Sequence, residues 1–436
     1  ARRREAARAK SAPAWSTPPT SASTPRLRAS RPDRRVPGSA GGYVALIDTP
    51  SRPTIHALTG LRFVAALLVV LSHFPELVPF TAAHEPLVRQ GAAGVTIFFV
   101  LSGLVLTYNY FDRFAAGVTA ARAFLWARLA RIGPMHVVAH LLITPQVIAY
   151  ALRPSVLSWF VNISMLHAFV PTRSMHLWNI PSWSISAELC FYCVFPFFIW
   201  RVLARVQRRH LPSLGLIVFA IECALFAAVA VVLERALMNR GKSPADVRAV
   251  LERVKFFPGL RIWEFFLGCT IGAALLYWQR DGGTGGGLGR RRNRNALLLC
   301  VAGAATAILM VPSHANIGDT GLLAQFATAG LYVAYTPLAV ALVAALARGP
   351  TAVTGGLEHR FVRAMGAASC SFYMLRWALV IVVNDSAIKR SSPSWWSAMA
   401  TVAVLLVVSL LTHRWVEQPA RRALNRRCSG LQQAAQ

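Results

Sequence analysis

Ten apolar runs alternate with short arginine-rich loops, and this alternation constrains the chain more than any other feature. The runs lie near 58–80, 93–111, 132–152, 184–201, 212–234, 257–278, 295–312, 322–347, 367–384 and 396–413. A helix of about 20 apolar residues crosses the hydrocarbon core of a bilayer. Lipid offers the backbone no hydrogen-bond partners, so such runs must be helical. The expectation is therefore an all-α fold: a polytopic transmembrane helix bundle of about ten spans. Composition agrees. Of the 436 residues, 55% are hydrophobic and 14% charged, where a soluble domain has about 25% charged.

The net charge of +29 raises the question of nucleic acid. The arginines form no single basic face, however; they sit in the N-terminal tail and in the loops between runs. That is the positive-inside pattern, suited to an anionic inner leaflet of membrane lipid. No nucleic-acid partner is expected. The pattern places both termini in the cytoplasm and the chain in the plasma (inner) membrane as a multi-pass protein.

The piece SVLSWFVNISMLHAF, within 153–182, is read as outer-leaflet or re-entrant, because a full crossing there would invert every later basic loop. Residues 1–54 hold too little apolar content for a core and read as a disordered basic tail. Residues 55–425 then form the transmembrane domain, and 426–436 a C-terminal tail. KSPADVRAVLERVK reads as an outer loop. No internal repeat is visible, which weakens a transporter built on inverted repeats.

Polar residues inside such a bundle are the functional candidates. The first run, LTGLRFVAALLVVLSHFPELVPF, carries Arg62 and His73. Eleven residues are about three helical turns and 16 Å, so both side chains should leave one face. The alternative is Arg62 snorkelling to the headgroups and His73 making a polar helix contact. In RLARIGP, Arg128 and Arg131 should share a face at the mouth of the third span, with Pro134 in its first turn. They would hold either lipid phosphate or an anionic cosubstrate, since guanidinium forks bind phosphate bidentately.

Ser184 and Glu188 in WSISAELCFY lie one turn apart. A carboxylate entering a membrane helix either orients a histidine or pairs with an arginine. Arg261 and Glu264, three apart, pair most simply with each other. Gly91, Gly94 and Gly103 should let helices approach closely, with Ser102 at a site edge as the lesser reading. His136 and His140 have a metal-ligand spacing but no acidic or cysteine partner, so they read as helix-face histidines and no metal is expected. Cys190 and Cys193 read as packing residues.

In order, LRFVAALLVVLSH, IFFVLSGLVLTY, RLARIGP, WSISAELCFY, RIWEFFLGCTIG and RWVEQPARR resemble the acyltransferase 3 family over roughly residues 55–425. These are membrane O-acyltransferases of bacterial surface glycans, macrolides and related acceptors. The resemblance implies an essential His73 and Arg62, with Arg128 and Arg131 as the family's RxxR pair and Glu188 as its acidic position. The chain departs from the family at SCSFYMLR: Cys370 and Arg376 stand where the family often has Tyr and His.

The implied reaction moves an acyl group, acetyl by resemblance, from acyl-CoA to a hydroxyl of a glycan or macrolide-type acceptor. Arg62, Arg128 and Arg131 would bind the cosubstrate, and His73 would act as general base with Glu188 in the catalytic set. Direct transfer and an acyl-histidine intermediate are both open. The competing class is a proton-coupled transporter or flippase of a glycan or lipid-linked precursor, with Arg62, His73 and Glu188 as the relay.

Overall fold

The computed structural model describes residues 52–73, 88, 90–149, 155–170, 178–283, 288–309, 322–383 and 395–433. The basic tail expected over 1–54 lies almost wholly outside them. The long helices follow the apolar runs: α1 (His56–Leu71), α2 (Gly94–Ala115), α3 (Ala121–Ala149), and, after the short α4 (Val156–Ile163), α5 (Trp183–Arg201). Then come α6 (Leu211–Met238), α7 (Pro244–Val254), α8 (Pro258–Arg280), α9 (Leu288–Leu309) and α10 (Leu322–Ala347). Two short helices, α11 (Thr354–Leu357) and α12 (Arg360–Ala367), lead to α13 (Ser369–Val383) and α14 (Trp395–Thr412). A π-turn over His413–Glu417 joins α14 to α15 (Gln418–Gln433), which runs through the boundary expected at 425. Among the described residues, six helical segments are long and apolar enough to cross a membrane.

Three local expectations are corrected. The first concerns α3, which begins at Ala121 and not near 132. Arg122, Arg128 and Arg131 thus lie on a continuous helix, and Pro134 falls in its interior together with Pro145. Membrane helices tolerate interior proline because neighbours re-satisfy the freed backbone groups. The second is the outer loop KSPADVRAVLERVK, most of which is helix α7. Ser243 accepts from the Asp246 N–H at 3.2 Å, and the Asp246 carboxylate accepts from the Ser243 N–H at 3.2 Å. This reciprocal cap fixes a helix start that a loop reading overlooks.

The third is the end of the first run. Helix α1 stops at Leu71, and the His73 N–H bonds Val70 O at 3.2 Å in a tightened turn. His73 therefore does not continue the stripe that starts at Arg62. The piece 155–170 holds one short helix and a 3₁₀ turn. Its helix α4 has 8 residues, about 12 Å long against a core of roughly 30 Å.

The centre of the bundle is a cluster of phenylalanines from α2, α3, α5 and α8. Phe99 meets Phe191 edge-on at 5.0 Å, Phe191 stacks on Phe265 at 5.2 Å, and Phe114 meets Phe124 at 5.3 Å. Helices α2 and α8 approach closely because glycine faces backbone on both sides. A Cβ on Gly103 would strike the Phe265 carbonyl, and one on Gly268 would strike that of Val100. Beside this contact lies the pair Arg261–Glu264, Nη1 to Oε1 3.0 Å, both buried and bridged by the Thr96 hydroxyl. That is the pairing expected from their spacing.

Candidate active site

Four of the sequence candidates converge. Arg62 from α1, Arg128 and Arg131 from α3, and Glu188 from α5 line one cavity. Ser102 and Ser184 line it too, and Cys370 and Tyr373 of α13 form part of its wall. These residues meet because α1, α2, α3, α5 and α13 each turn a polar position inward from an otherwise apolar helix. The Tyr192 hydroxyl donates to Glu188 Oε2 at 2.8 Å. Arg131, Arg62 and Arg128 lie within electrostatic reach of the same carboxylate.

Arg128 is held from the side. Its Nη2 donates to the Tyr110 hydroxyl at 3.2 Å, and its guanidinium carbon lies 5.5 Å and 5.6 Å from the Tyr110 and Phe124 ring centres. The aromatic faces stabilise the cation and aim it at the cavity.

Arg62, Val105, Leu106, Arg128 and Arg131 also line a second, wider space, so the two spaces adjoin at these residues. The wide mouth adds Arg52, Arg421 and Arg422, so it is strongly basic. Its one carboxylate from α14's π-turn, Glu417, is engaged by the Ser371 hydroxyl at 2.8 Å and by His413 Nδ1 at 2.9 Å. The arrangement can hold a polyanionic head in the mouth and a slender arm in the inner cavity.

His73 is not among the lining residues of either space. Its Nδ1 lies 3.0 Å from Arg376 Nη1, 2.9 Å from Val69 O and 3.1 Å from Ser72 Oγ. The Trp377 ring meets the imidazole edge-on at 6.5 Å. Arg376 in turn has its guanidinium carbon 5.0 Å from the centre of the Tyr373 ring, which lines the cavity. One layer of side chains, Tyr373 and Arg376, thus stands between the cavity and His73.

His136 and His140 stack at 6.0 Å, and His136 stacks on His167 at 6.4 Å; among the described residues no cluster of three or more His, Cys, Asp or Glu is placed to hold a metal ion.

An acyltransferase-domain family model, that of acyltransferase 3, matches residues 55–414. The chain belongs to the acyltransferase 3 family. Among relatives, acyltransferase MdmB of Streptomyces mycarofaciens is 26% identical over 403 residues, covering 85% of this chain and 92% of that protein. Peptidoglycan O-acetyltransferase OatA of Listeria monocytogenes is 20% identical over 385 residues, 85% of this chain and 56% of the relative. The putative peptidoglycan O-acetyltransferase YrhL of Bacillus subtilis is 23% identical over 394 residues, 84% and 55% respectively. The chain thus spans about half the length of these last two. No solved structure matches it. As a member of the acyltransferase 3 family the protein is an acyltransferase, and its six long apolar helices agree with membrane association.

Four residues in or beside this candidate site were not visible as site features in the sequence. Arg52, Arg421 and Arg422 line the mouth, yet they read as ordinary basic flanks. The signal that existed was the family piece RWVEQPARR, which contains two of them. Arg376 stood out only as a departure from the family pattern, with nothing to name its partner.

Proposed function

We propose that the protein is a membrane O-acyltransferase moving an acyl group, acetyl by family likeness, from acyl-CoA to a hydroxyl of a carbohydrate or macrolide-type acceptor. The supporting observation is that the arginine-lined mouth and the inner cavity beside Glu188 share Arg62, Arg128 and Arg131 as lining. Diphosphate and 3′-phosphate groups of CoA suit the mouth, because guanidinium binds phosphate in a bidentate fork. The pantetheine arm suits the narrower cavity, which points the thioester toward Tyr373 and the Arg376–His73 layer beyond it. Two relatives carry peptidoglycan O-acetyltransferase in their names, which supports a hydroxyl acceptor outside the cytoplasm. In this reading the chain crosses the plasma membrane ten times with both termini cytoplasmic, so that the mouth faces the CoA pool.

His73 serves as general base. Its Nδ1–H donates to Val69 O at 2.9 Å, and Nε2 takes the proton from the acceptor hydroxyl. The hydroxyl oxygen forms a bond to the thioester carbonyl carbon, the carbon–sulfur bond breaks, and the thiolate leaves with the proton returned from the imidazolium. Glu188 fixes the arginine cluster around the donor. The test uses purified protein in detergent with acetyl-CoA and carbohydrate, peptidoglycan-fragment and macrolide acceptors. Free CoA thiol released together with an acylated acceptor in the mass spectrum is the expected result. Absence of both with every acceptor, while the same protein in vesicles moves a glycan precursor, would replace this reading with the transporter.

A further inference from the structure

Arg376 and His73 are 303 residues apart in sequence and share one hydrogen-bonded group of atoms. The group forms because α1 ends before His73. With the His73 N–H bonded to Val70 O, the Val69 carbonyl loses its helical partner and turns to side chains. Ser72 Oγ at 2.7 Å, Arg376 Nη1 at 2.8 Å and His73 Nδ1 at 2.9 Å all converge on this one oxygen. Arg376 Nη1 and His73 Nδ1 thereby come within 3.0 Å of each other. Arg376 is itself buried, with 5% of its surface exposed, and its cation rests on the Tyr373 ring.

We propose that Arg376 is the positioning residue for His73: bound to the Val69 carbonyl at the end of α1, it fixes the oxygen to which the imidazole Nδ1–H donates and so sets the orientation of the ring. This rests on the reading of His73 as the base. A residue beyond its helix end has no helical packing to fix χ1 and χ2. The contact supplies that constraint, with Trp377 from the same helix closing the other side. It also bears on which ring nitrogen carries the hydrogen. A carbonyl only accepts and a guanidinium only donates, so the Val69 oxygen that Arg376 anchors takes the Nδ1–H at 2.9 Å and the lone pair falls on Nε2.

The plainer role for Arg376 is to cap the last carbonyls of α1, where a cation is favourable. The two roles separate in the kinetics and in the ring's spectrum. The variants are Arg376→Met, which removes every donor, and Arg376→Lys, which keeps a cation for the cap but not the fork. His73→Ala serves as the control. Each is purified and compared with the full chain by kcat, KM for acetyl-CoA and the ¹⁵N spectrum of histidine-labelled protein, with His73 assigned by difference against His73→Ala.

A lost positioning contact predicts a kcat roughly 10²-fold lower in Arg376→Met, with KM for acetyl-CoA within about twofold and displaced His73 ring-nitrogen shifts. Arg376→Lys should keep thermal stability and still lose kcat. If Arg376→Met does not fold, the Lys variant decides the matter. A wild-type kcat and unchanged His73 shifts in the folded variant, with His73→Ala inactive, would overturn the positioning role alone. Full activity of His73→Ala would instead remove the base reading, and the positioning role with it.

Discussion

Arg128 Nη2 lies 3.2 Å from the Tyr110 hydroxyl, with the guanidinium held across the ring face. That contact turns one member of the RxxR pair into a fixed wall of both the inner cavity and its mouth. Replacing Arg128 and Arg131 together by alanine removes two charge-assisted donors, each contributing about 1.5–3 kcal/mol when it bonds a charged partner. KM for acetyl-CoA should rise by at least about tenfold for each lost contact, with a smaller change in kcat. Steady-state kinetics at fixed acceptor measure this, and an unchanged KM would take the pair out of the donor site.

The mouth makes a second prediction about the donor. Arg421 and Arg422 lie on α15, away from the inner cavity, and line only the wide space. The Arg421→Ala, Arg422→Ala double variant should weaken acetyl-CoA binding while leaving kcat at saturation near wild type. Its KM should also respond less to added salt, since exposed charges are screened at about 0.15 M ionic strength. Equal salt responses in variant and wild type would count against the mouth as the phosphate site.

His73→Ala should lower kcat by about 10²–10⁴-fold, the usual contribution of a positioned proton transfer, with folding intact. The ring is half-buried and lies just past the end of α1, so its loss opens no large void in the phenylalanine core. Binding of acetyl-CoA by calorimetry should be nearly unchanged, because His73 lines neither space.

The packing of α2 against α8 gives a stability test. Gly268→Val would drive a side chain into the Val100 backbone, which cannot retreat as a flexible side chain would. Overpacking of this kind costs about 1–3 kcal/mol and occasionally more. The midpoint of thermal unfolding in detergent should fall well below wild type, whereas the same change at Gly303, where a Cβ meets nothing within 4 Å, should leave it nearly unchanged.

The buried pair Arg261–Glu264 should behave unevenly. Removing either partner alone strands a buried charge, at a cost of about 3–5 kcal/mol. Arg261→Met combined with Glu264→Leu should recover much of that loss. A double variant as unstable as either single one would show that the pair's hydrogen bonds to Thr96 matter more than charge balance.

Much of the fold was legible from hydropathy. The ten apolar runs near 58–80 through 396–413 all carry helix in the structure, because lipid-compatible sequence leaves the backbone no other way to satisfy its own polar groups. The pairing of Arg261 with Glu264 was legible as well, since residues three apart on a helix are neighbours. Where helices begin and end was not. The capped start of α7 and the early start of α3 lie in charged sequence, where hydropathy carries no signal.

The candidate site divides the same way. Arg62, Arg128, Arg131 and Glu188 were each visible as a polar residue in or beside an apolar run, and each does line the cavity. The shared stripe expected for Arg62 and His73 was lost because it assumed an unbroken helix, and α1 ends two residues short of His73.

Sequence by itself determined that this chain is helical, membrane-associated and an acyltransferase, because those properties follow from local apolar content and from short ordered motifs. Only the tertiary structure decided which polar residues meet. Arg376 reaches His73, and Ser371 reaches Glu417, across 303 and 46 residues respectively. Such contacts depend on how helices from distant parts of the chain pack side by side, and no local pattern encodes that.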